Sequence, residues 1–227
     1  ILISKKRYIG DKWESIDDVD NNKYKRTSMG IVMKRRDNAP IVKYVYGNII
    51  DKILTNIGFD KVIDWLISTL DDIMNGKFPI NYFIITKSLR AYYKNPTSIA
   101  HKVLADRIGE RDPGKRPKAG DRVPYVYKNL TDYDLVFDRY EQYKSGKNKG
   151  KDKKKSILQG DRIEHPDYIN QLNDIDYAFY ITNQIMNPVL QVLELDMNNN
   201  YESIFNKYKE DGELLYKRMD KYKHIKK

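Results

Sequence analysis

The chain has 227 residues, of which 40% are hydrophobic and 33% are charged, and its formal net charge is +10. This length allows one domain, or one domain with a short piece of a neighbour, and the excess of cations favours a nucleic acid or an anionic membrane surface as partner. Because there are no cysteines, the composition excludes a disulfide framework, a cysteine-ligated zinc ribbon and an iron–sulfur cluster.

No stretch of the sequence approaches 18 consecutive apolar residues, and no signal-peptide pattern is present. These features predict a soluble, intracellular protein. No membrane is expected among its partners. Lys, Ile, Asn and Tyr are all abundant, which A·T-rich coding alone would also produce. The net charge is therefore supporting information only. The first residue is Ile1 rather than Met, in a predicted strand, so we expect a piece of a longer polypeptide.

The first forty residues predict two β-strands. The apolar residues at 1–3 and 8–9 predict one strand interrupted by Lys5-Lys6-Arg7, and residues 30–36 predict a second. Residues 11–22 between them are acidic and rich in turn formers. At the end of such a strand pair, lysines can reach into a groove, and a solvated charge run is the alternative interpretation.

Two helices are predicted next. Apolar residues recur at helical spacing over 45–57 and again over 62–74, with Gly58 between the two runs and Gly76 after the second. We expect the two helices to pair through their apolar faces. Asp71-Asp72 does not indicate a metal site, because adjacent side chains on a helix point about 100° apart.

A strand followed by a third helix is predicted over residues 80–111. The strand, at 80–87, ends in Lys87 and is followed by Arg90, and the helix begins near Pro96. His101 is interpreted as a surface or packing residue. The turn sequence Arg111-Asp112-Pro113-Gly114 predicts the end of the helix.

A cationic loop and a short strand come next. The loop carries Lys115, Arg116 and Lys118, and Gly120-Asp121 turns the chain into a β-branched and aromatic strand that begins at Arg122. Pro124 predicts an edge or irregular position for this strand, because proline cannot donate to a ladder. The segment offers cations to an anionic partner, and a solvated connection is an equally good reading of these residues alone.

The last hundred residues predict a loop and two helices. Residues 144–155 hold seven lysines and one aspartate, and the surrounding stretch, 144–158, is predicted to be a flexible loop. Asp176 is a good N-cap for a helix over 177–195 that is kinked near Pro188. Residues 201–227 predict an amphipathic helix, in which no sliding-clamp peptide is found.

The order of several motifs resembles family B DNA polymerases, the delta-type replicative enzymes in particular. The longest is HKVLADRIGERDPGKRPKAGDRVPYV at 101–126, which is similar to the thumb region of that family. Shorter motifs follow in the family's order over about residues 3–195: KKRYIG at 5–10, RRDNAP at 35–40, ITKSL at 85–89, EHP at 164–166, IDY at 175–177 and NQI at 183–185. The absence of cysteines departs from the cellular enzymes and resembles the shorter polymerases of large DNA viruses.

The resemblance implies an α+β fold, with the C-terminal end of a palm domain at 1–40 and a mostly helical thumb domain with short strands at 41–227. It implies that Lys5 and Lys6 follow the minor groove near the primer end. A lysine there accepts any correct pair, because purine N3 and pyrimidine O2 occupy similar positions in all four pairs. Lys87 resembles a lysine that contacts the primer backbone.

The complete set of expected DNA-binding residues combines these with neighbouring cations and tyrosines. For Arg35 and Arg36, a structural pairing with acids such as Asp37 is favoured over a direct phosphate contact. The set is Lys5, Lys6, Arg7, Tyr8, Arg35, Arg36, Lys87, Arg90, Arg116, Lys118, Arg122 and Tyr125.

No catalytic residue is expected in this chain, because the metal-binding aspartates of the resembled family lie upstream of its lysine pair. Mg²⁺ is expected in that palm active site. The expected partners are primer–template duplex DNA, the remaining palm, fingers and exonuclease parts, and a processivity factor, at a replication site in the cytoplasm or the nucleus. Two alternatives stay open: the small subunit of a naturally split polymerase, and a stand-alone basic DNA-binding module.

Overall fold

The computed structural model describes residues 1–35, 37–130, 140–142, 145–147, 149–154, 158–170, 172–196 and 199–210. The strands are β1 (Leu2–Ser4), β2 (Arg7–Lys12), β3 (Lys25–Met29), β4 (Ile85–Ser88), β5 (Arg122–Tyr127), β6 (Tyr140–Gln142), β7 (Asp152–Lys154) and β8 (Ile163–Glu164). The helices are α1 (Ile16–Asp20), α2 (Pro40–Leu54), α3 (Phe59–Met74), α4 (Ala100–Arg111), α5 (Tyr177–Phe179) and α6 (Met186–Leu193). The expected α+β class is confirmed.

The strands form small antiparallel sheets. Among the described residues their orders are β1–β2–β3, β4–β5–β8 and β6–β7. One hydrophobic cluster connects the first two sheets with the helices, because Ile9 of β2, Val45 of α2, Val123 of β5 and Ile181 after α5 all belong to it. The N-terminal sheet therefore packs on the same core as the helices.

The N-terminal strands differ from their prediction. The predicted single strand is a hairpin, in which β1 and β2 are joined by a two-residue turn at Lys5-Lys6. The predicted strand over 30–36 is wrong: β3 ends at Met29, and a 3₁₀ turn spans Val32–Lys34. Gly30 explains the change of direction, because it has φ +64 and a Cβ there would lie 2.2 Å from the Lys6 carbonyl oxygen.

The two predicted helices α2 and α3 are confirmed, and they pack together. Pro40 occupies the first turn of α2, where its missing N–H has no intrahelical partner to lose. Gly58, with φ +92, forms the N-terminal boundary of α3, and Gly76, with φ +66, follows its end. Periodicity and glycines placed α3 well, whereas α2 both begins and ends earlier than the run predicted over 45–57.

The sheet β4–β5–β8 lies next to α4, whose predicted end at Arg111 is confirmed. The predicted strand over 80–87 is shorter than expected, because Ile80–Tyr82 forms a 3₁₀ turn after Pro79. The expected edge position of β5 is wrong for the strand as a whole, since β5 is the central strand. Pro124 is nevertheless paired on one side only, because β8 joins β5 from Val126 onward.

Asp176 caps the next helix as predicted: its carboxylate accepts a hydrogen bond of 2.9 Å from the backbone N–H of Phe179. The helix is irregular before Pro188, since Tyr180–Ile185 is π-helical between α5 and α6. Proline has no N–H for the carbonyl four residues earlier, at position 184, which lies in the π-helical segment.

Part of the lysine-rich stretch forms regular structure. β6 and β7 pair as an antiparallel hairpin with Glu141 opposite Lys153. Residues 152–154 of the loop predicted over 144–158 are therefore a strand. In the predicted C-terminal helix, a 3₁₀ turn at Glu202–Phe205 leads into a helical stretch at 206–210. Residues 211–227, the rest of that predicted helix, lie outside the described residues.

Candidate nucleic-acid interface

The Lys5-Lys6 turn is the exposed tip of the β1–β2 hairpin. Both lysines are exposed, and Tyr8 is 39% exposed one strand position beyond Arg7. Lys6 has φ +63, a left-handed conformation that costs a non-glycine residue about 1–2 kcal/mol. The Lys6 carbonyl lies so close to Gly30 that a Cβ there would be 2.2 Å from its oxygen, so the backbone of the turn packs directly on Gly30. The turn therefore presents two cations on a backbone that packs at the end of β3.

Arg7 points away from this tip toward the helices. Its guanidinium donates a 2.7 Å hydrogen bond to Oε1 of Gln191 on α6, and the side chain is partly buried. Arg7 is 184 positions from its partner, so this contact joins the N-terminal hairpin to the C-terminal helix. Its geometry suits anchoring rather than a free contact with DNA.

The outer face of the β4–β5 pair carries a row of polar side chains. Arg122 donates to the Oγ1 of Thr86 at 2.7 and 3.1 Å, to the Thr86 carbonyl at 2.9 Å and to the Oγ of Ser88 at 3.2 Å. Leu89, after the strand, is buried and the next residue, Arg90, is exposed, which continues the alternation of the strand. We call Thr86, Ser88, Arg90 and Arg122 the outer strip.

The outer strip is a cationic surface. All the hydrogen bonds described for Arg122 end on neutral oxygens, and within the described residues neither Arg90 nor Arg122 lies at salt-bridge distance from a carboxylate. The guanidinium is thus held in place without losing its charge. Hydroxyls beside guanidinium groups are a common set of donors for phosphate oxygens.

Lys87 lies on the opposite face of the same strand. Neighbouring strand residues alternate, and Lys87 is paired with the buried Val123, whereas Ser88 is paired with Arg122. The Lys87 ammonium donates to Oδ2 of Asp37 at 3.1 Å, with both side chains about half exposed. Its hydrogen bond is the main reason that the pKa of Asp37 lies below its ordinary value, against a smaller opposing effect of burial.

Asp37 was expected to pair with an arginine beside it. The structure gives its hydrogen bond to Lys87 instead, while Arg35 is exposed and acts on Asp37 only through its charge. Arg36 lies outside the described residues. Lys87 reaches Asp37 because β4 lies next to the segment before α2, although the two residues are 50 positions apart.

The cationic loop after α4 is tied to the strand pair. The backbone N–H of Leu89 donates to the Asp121 carbonyl, and Gly120 N–H donates to the Leu89 carbonyl, each at 2.9 Å. Lys118 is exposed next to this connection. Arg116 instead folds back on α4, where it donates to Asp106 at 2.9 Å and packs on Gly109.

Tyr125 differs from the other expected site residues, because it is only 5% exposed and belongs to the core. It faces Ile85 across the sheet, and burial raises the pKa of its phenol. The side chain supports the strand from below and offers no surface for a ligand in this conformation.

Two features were missed by the sequence analysis. The hydroxyls of Thr86 and Ser88 could have been found from their spacing of two, which places them on one face of a strand. Glu164, 5% exposed, accepts hydrogen bonds from Arg107 at 3.3 Å and from Arg111 at 2.9 and 3.2 Å. This triplet, the Glu164 cluster, joins α4 to β8 across 53 and 57 positions, and no local pattern predicts it.

Asp71 and Asp72 have other partners than a metal ion. Asp71 accepts from Lys207 at 3.0 Å and from the Tyr208 hydroxyl at 2.8 Å, and Asp72 accepts from Lys77 at 2.6 Å. Across the described residues, no group of three or more His, Cys, Asp or Glu side chains is arranged to hold a metal ion. In the same residues, none of the helices combines the length and the apolar character needed to cross a bilayer.

Comparison with known proteins gives consistent results. The model of DNA polymerase family B matches residues 1–195. A DNA polymerase of Acanthamoeba polyphaga mimivirus is 50% identical over 210 residues, which are 92% of this chain and 11% of that protein. The DNA polymerase delta catalytic subunit of Caenorhabditis elegans is 30% identical over 206 residues, 90% of this chain and 17% of that protein.

A solved structure shares the fold. The family B DNA polymerase from the hyperthermophilic archaeon Pyrobaculum calidifontis superposes with a TM-score of 0.56 and 18% identity, over 84% of this chain and 20% of that one. The chain spans less than a fifth of the length of the two curated relatives above.

Proposed function

This chain belongs to DNA polymerase family B, and on that premise we propose that it forms the end of the palm (1–40) and the thumb (41–227) of a replicative DNA-directed DNA polymerase. In this proposal the chain holds the primer–template duplex behind the active site and carries no catalytic residue itself. Its contacts are with phosphates and with the minor groove, and it reads no particular base sequence.

The observation that carries the proposal is the outer strip. Arg122 is fixed by Thr86 and Ser88, all of its described partners are neutral, and Arg90 is exposed on the same side. A phosphate that binds there gains a charge-assisted contact without breaking an ion pair. Preorganised donors also reduce the conformational entropy lost on binding.

The Lys5-Lys6 turn takes the minor-groove role. Its two exposed ammonium groups project from a hairpin tip whose backbone is fixed against Gly30. Correct pairs place an acceptor at nearly constant minor-groove positions, and a mispair displaces it. A rigidly supported lysine can therefore distinguish correct from incorrect geometry without reading sequence.

Lys87 contributes by exchange of partners. Its ion pair with Asp37 is half exposed, and pairs of this kind are worth only about 0–1 kcal/mol. A phosphate near β4 can therefore replace the Asp37 carboxylate at small cost. Lys87 leaves the opposite strand face from Arg122, so the two side chains serve different phosphates.

The exposed apolar side chains of the first sheet support the rest of the polymerase as a partner. Leu2 of β1 is 71% exposed, Met29 of β3 46% and Trp13, directly after β2, 41%, and β1 and β3 are the edge strands. Apolar surface at a sheet edge is typical of a contact that another part of the protein covers. In this proposal the covering part carries the aspartates for Mg²⁺. A processivity factor stays a prediction without a described surface of its own.

The test uses primer–template binding by the full-length protein at several salt concentrations. Arg122→Ala should make the slope of log K against log salt less negative by about 0.9 and weaken binding equally across sequences. Lys77→Ala is the control, because Lys77 is an exposed lysine that is paired with Asp72 and is not a member of the strip. An unchanged slope for Arg122→Ala would remove the strip from the DNA surface.

The alternative of a naturally split polymerase would also explain the exposed apolar side chains of the first sheet. The number of chains in the active enzyme distinguishes it from a single-chain polymerase. If the polymerase is one polypeptide, primer extension accompanies DNA binding in a single purified chain. If it is split, extension requires a second, larger chain that binds the edge of the β1–β2–β3 sheet.

A further inference from the structure

His101, at the start of α4, lies between the end of β4 and the loop that follows it. Its Nε2 is 3.0 Å from the Tyr93 hydroxyl, and the two rings meet edge to face with centroids 5.9 Å apart. The same Tyr93 hydroxyl accepts a 2.8 Å hydrogen bond from the backbone N–H of Arg90.

The direction of each hydrogen bond follows from the available donors. The backbone N–H of Arg90 can only donate, so the Tyr93 hydroxyl accepts from it and its own proton is available to Nε2 of His101. The result is a continuous chain from the backbone of Arg90 through Tyr93 to His101 on α4.

The chain closes the loop 90–93 on itself and on α4. One end is the backbone of Arg90, a member of the outer strip, and the other end is the imidazole of His101. Arg90 lies two residues beyond the end of β4, so the ladder of that strand does not include it. Its exposed guanidinium depends on this loop for its position.

We propose that Tyr93 and His101 are positioning residues for DNA binding, which hold the backbone of Arg90 so that its guanidinium meets a phosphate of the duplex. This inference rests on the proposed function of the outer strip. Neither side chain touches DNA in it, and both act through Arg90.

The charges around the ring are consistent with this role. Burial, followed by the positive charges of Lys87 and Arg90, lowers the pKa of His101, against an opposing effect of the Ser88 backbone. The imidazole is therefore neutral at pH 7 and keeps the free acceptor that the Tyr93 hydroxyl requires. The partner group Tyr93 and the cations Lys87 and Arg90 are the titratable and charged groups that contact or act on the ring.

The first experiment compares two adjacent tyrosines in the full-length protein. Tyr93→Phe removes only the hydroxyl that links Arg90 to His101, and should weaken binding to a primer–template duplex roughly 3- to 10-fold. Tyr92→Phe is the matched control, because Tyr92 is 79% exposed, and it should bind as the wild type does. Equal affinities of Tyr93→Phe and wild type would overturn the inference.

The second experiment separates positioning from general loss of structure. In an Arg90→Ala background, Tyr93→Phe should cause no further loss of DNA affinity, because its effect passes through the arginine side chain. An additive loss would overturn the inference in favour of a structural role. His101→Gln, which can both donate and accept, should retain more affinity than His101→Phe, and equal losses would again count against it.

The affinities of the arginine variants show which of the two proposals fails. If the wild-type protein and Arg122→Ala bind the duplex equally, the outer strip is not a DNA surface and the proposed function fails. If Arg122→Ala and Arg90→Ala weaken binding and Tyr93→Phe does not, only the role of the hydrogen-bond chain fails.

Discussion

The Glu164 cluster and the outer strip both use arginines, but in opposite ways. In the cluster, a carboxylate that is 5% exposed accepts from Arg107 and Arg111, so the charges compensate one another inside the protein. In the strip, Arg122 is held by neutral hydroxyl and carbonyl oxygens, and its charge remains for a partner. Arg107 and Arg111 therefore stabilise the fold through Glu164, whereas Arg122 is positioned by the fold and its charge is available to a partner.

The difference also explains why the number of cations in the sequence does not show which arginines are available to a partner. Arg107 donates to the carbonyls of Gly160 at 2.6 Å and Ile163 at 3.1 Å as well as to Glu164, so both of its terminal nitrogens are bound within the fold. The positive charge of Arg107 nevertheless contributes to the total of +10 as much as that of Arg122 does. What distinguishes Arg122 is the chemistry of its partners, which the sequence does not show.

The largest effect is expected for Glu164→Gln. The change leaves two arginines without their anion and should lower the free energy of unfolding by about 2–3 kcal/mol, less than for a fully buried pair because Arg111 is 39% exposed and can be rehydrated. Urea unfolding measures this. Glu202→Gln is the matched control, since Glu202 pairs with Lys209 at the surface, and it should unfold as the wild type does.

The pH dependence sharpens the same test. Burial alone would raise the pKa of Glu164, but the hydrogen bonds from Arg111 and His165 N–H and the charges of Arg107 and Arg111 lower it overall below 4.5. A lowered pKa in the folded state means that this stabilisation is complete above pH 4.5 and is lost as the pH falls further. The difference between wild type and Glu164→Gln should therefore shrink below pH 4.5, and a constant difference would contradict the ionic explanation.

A smaller but still large effect is expected for Gly30→Ala, which tests whether exposed cations depend on buried contacts. The new Cβ would lie 2.2 Å from the Lys6 carbonyl, at a backbone φ of +64. We expect a loss of about 2 kcal/mol in stability and displacement of the Lys5-Lys6 turn. Extension from a matched and a mismatched primer end measures the second effect.

Gly10→Ala provides the control on the same sheet. No atom lies within 4 Å of a Cβ at Gly10, so we expect a change in stability within about 0.5 kcal/mol and unchanged discrimination of mismatches. If Gly30→Ala lowered stability but left mismatch discrimination intact, the turn would not be the part that checks base-pair geometry.

The elements that could be predicted from sequence are those with a local cause. Periodic apolar residues bounded by Gly58 and Gly76 predicted α2 and α3, and the carboxylate of Asp176 predicted its cap. The hairpin turn at Lys5-Lys6 was missed because it contains neither glycine nor asparagine, and Gly30, which accommodates it, lies 24 positions later.

The candidate site was predictable as a set of cations but not as an arrangement. Thr86 and Ser88 become partners of Arg122 only when β4 and β5 pair, across 34–36 positions. The same pairing placed Lys87 on the other strand face and Tyr125 in the core. Strand register decides which side chains share a face, and single-sequence patterns do not contain it.

The smallest effect is expected for Asp37→Asn, which removes the ion pair between the partly exposed side chains of Asp37 and Lys87. The pair is half exposed, so its loss should change stability by less than about 0.5 kcal/mol. Freed from the carboxylate, Lys87 is available to a phosphate from the start, and duplex affinity should rise about twofold. Anisotropy titrations of a labelled primer–template measure this.

Asp72→Asn separates the specific effect from the general loss of one negative charge. It frees Lys77, which belongs to no proposed DNA contact, and should leave affinity close to that of the wild type. A fall in affinity for Asp37→Asn would show that Asp37 positions Lys87 for DNA rather than competing with it. Lys87 would then resemble Arg122, because its partner would hold it in position for DNA. A cation in an ion pair would in that case still count as available for binding.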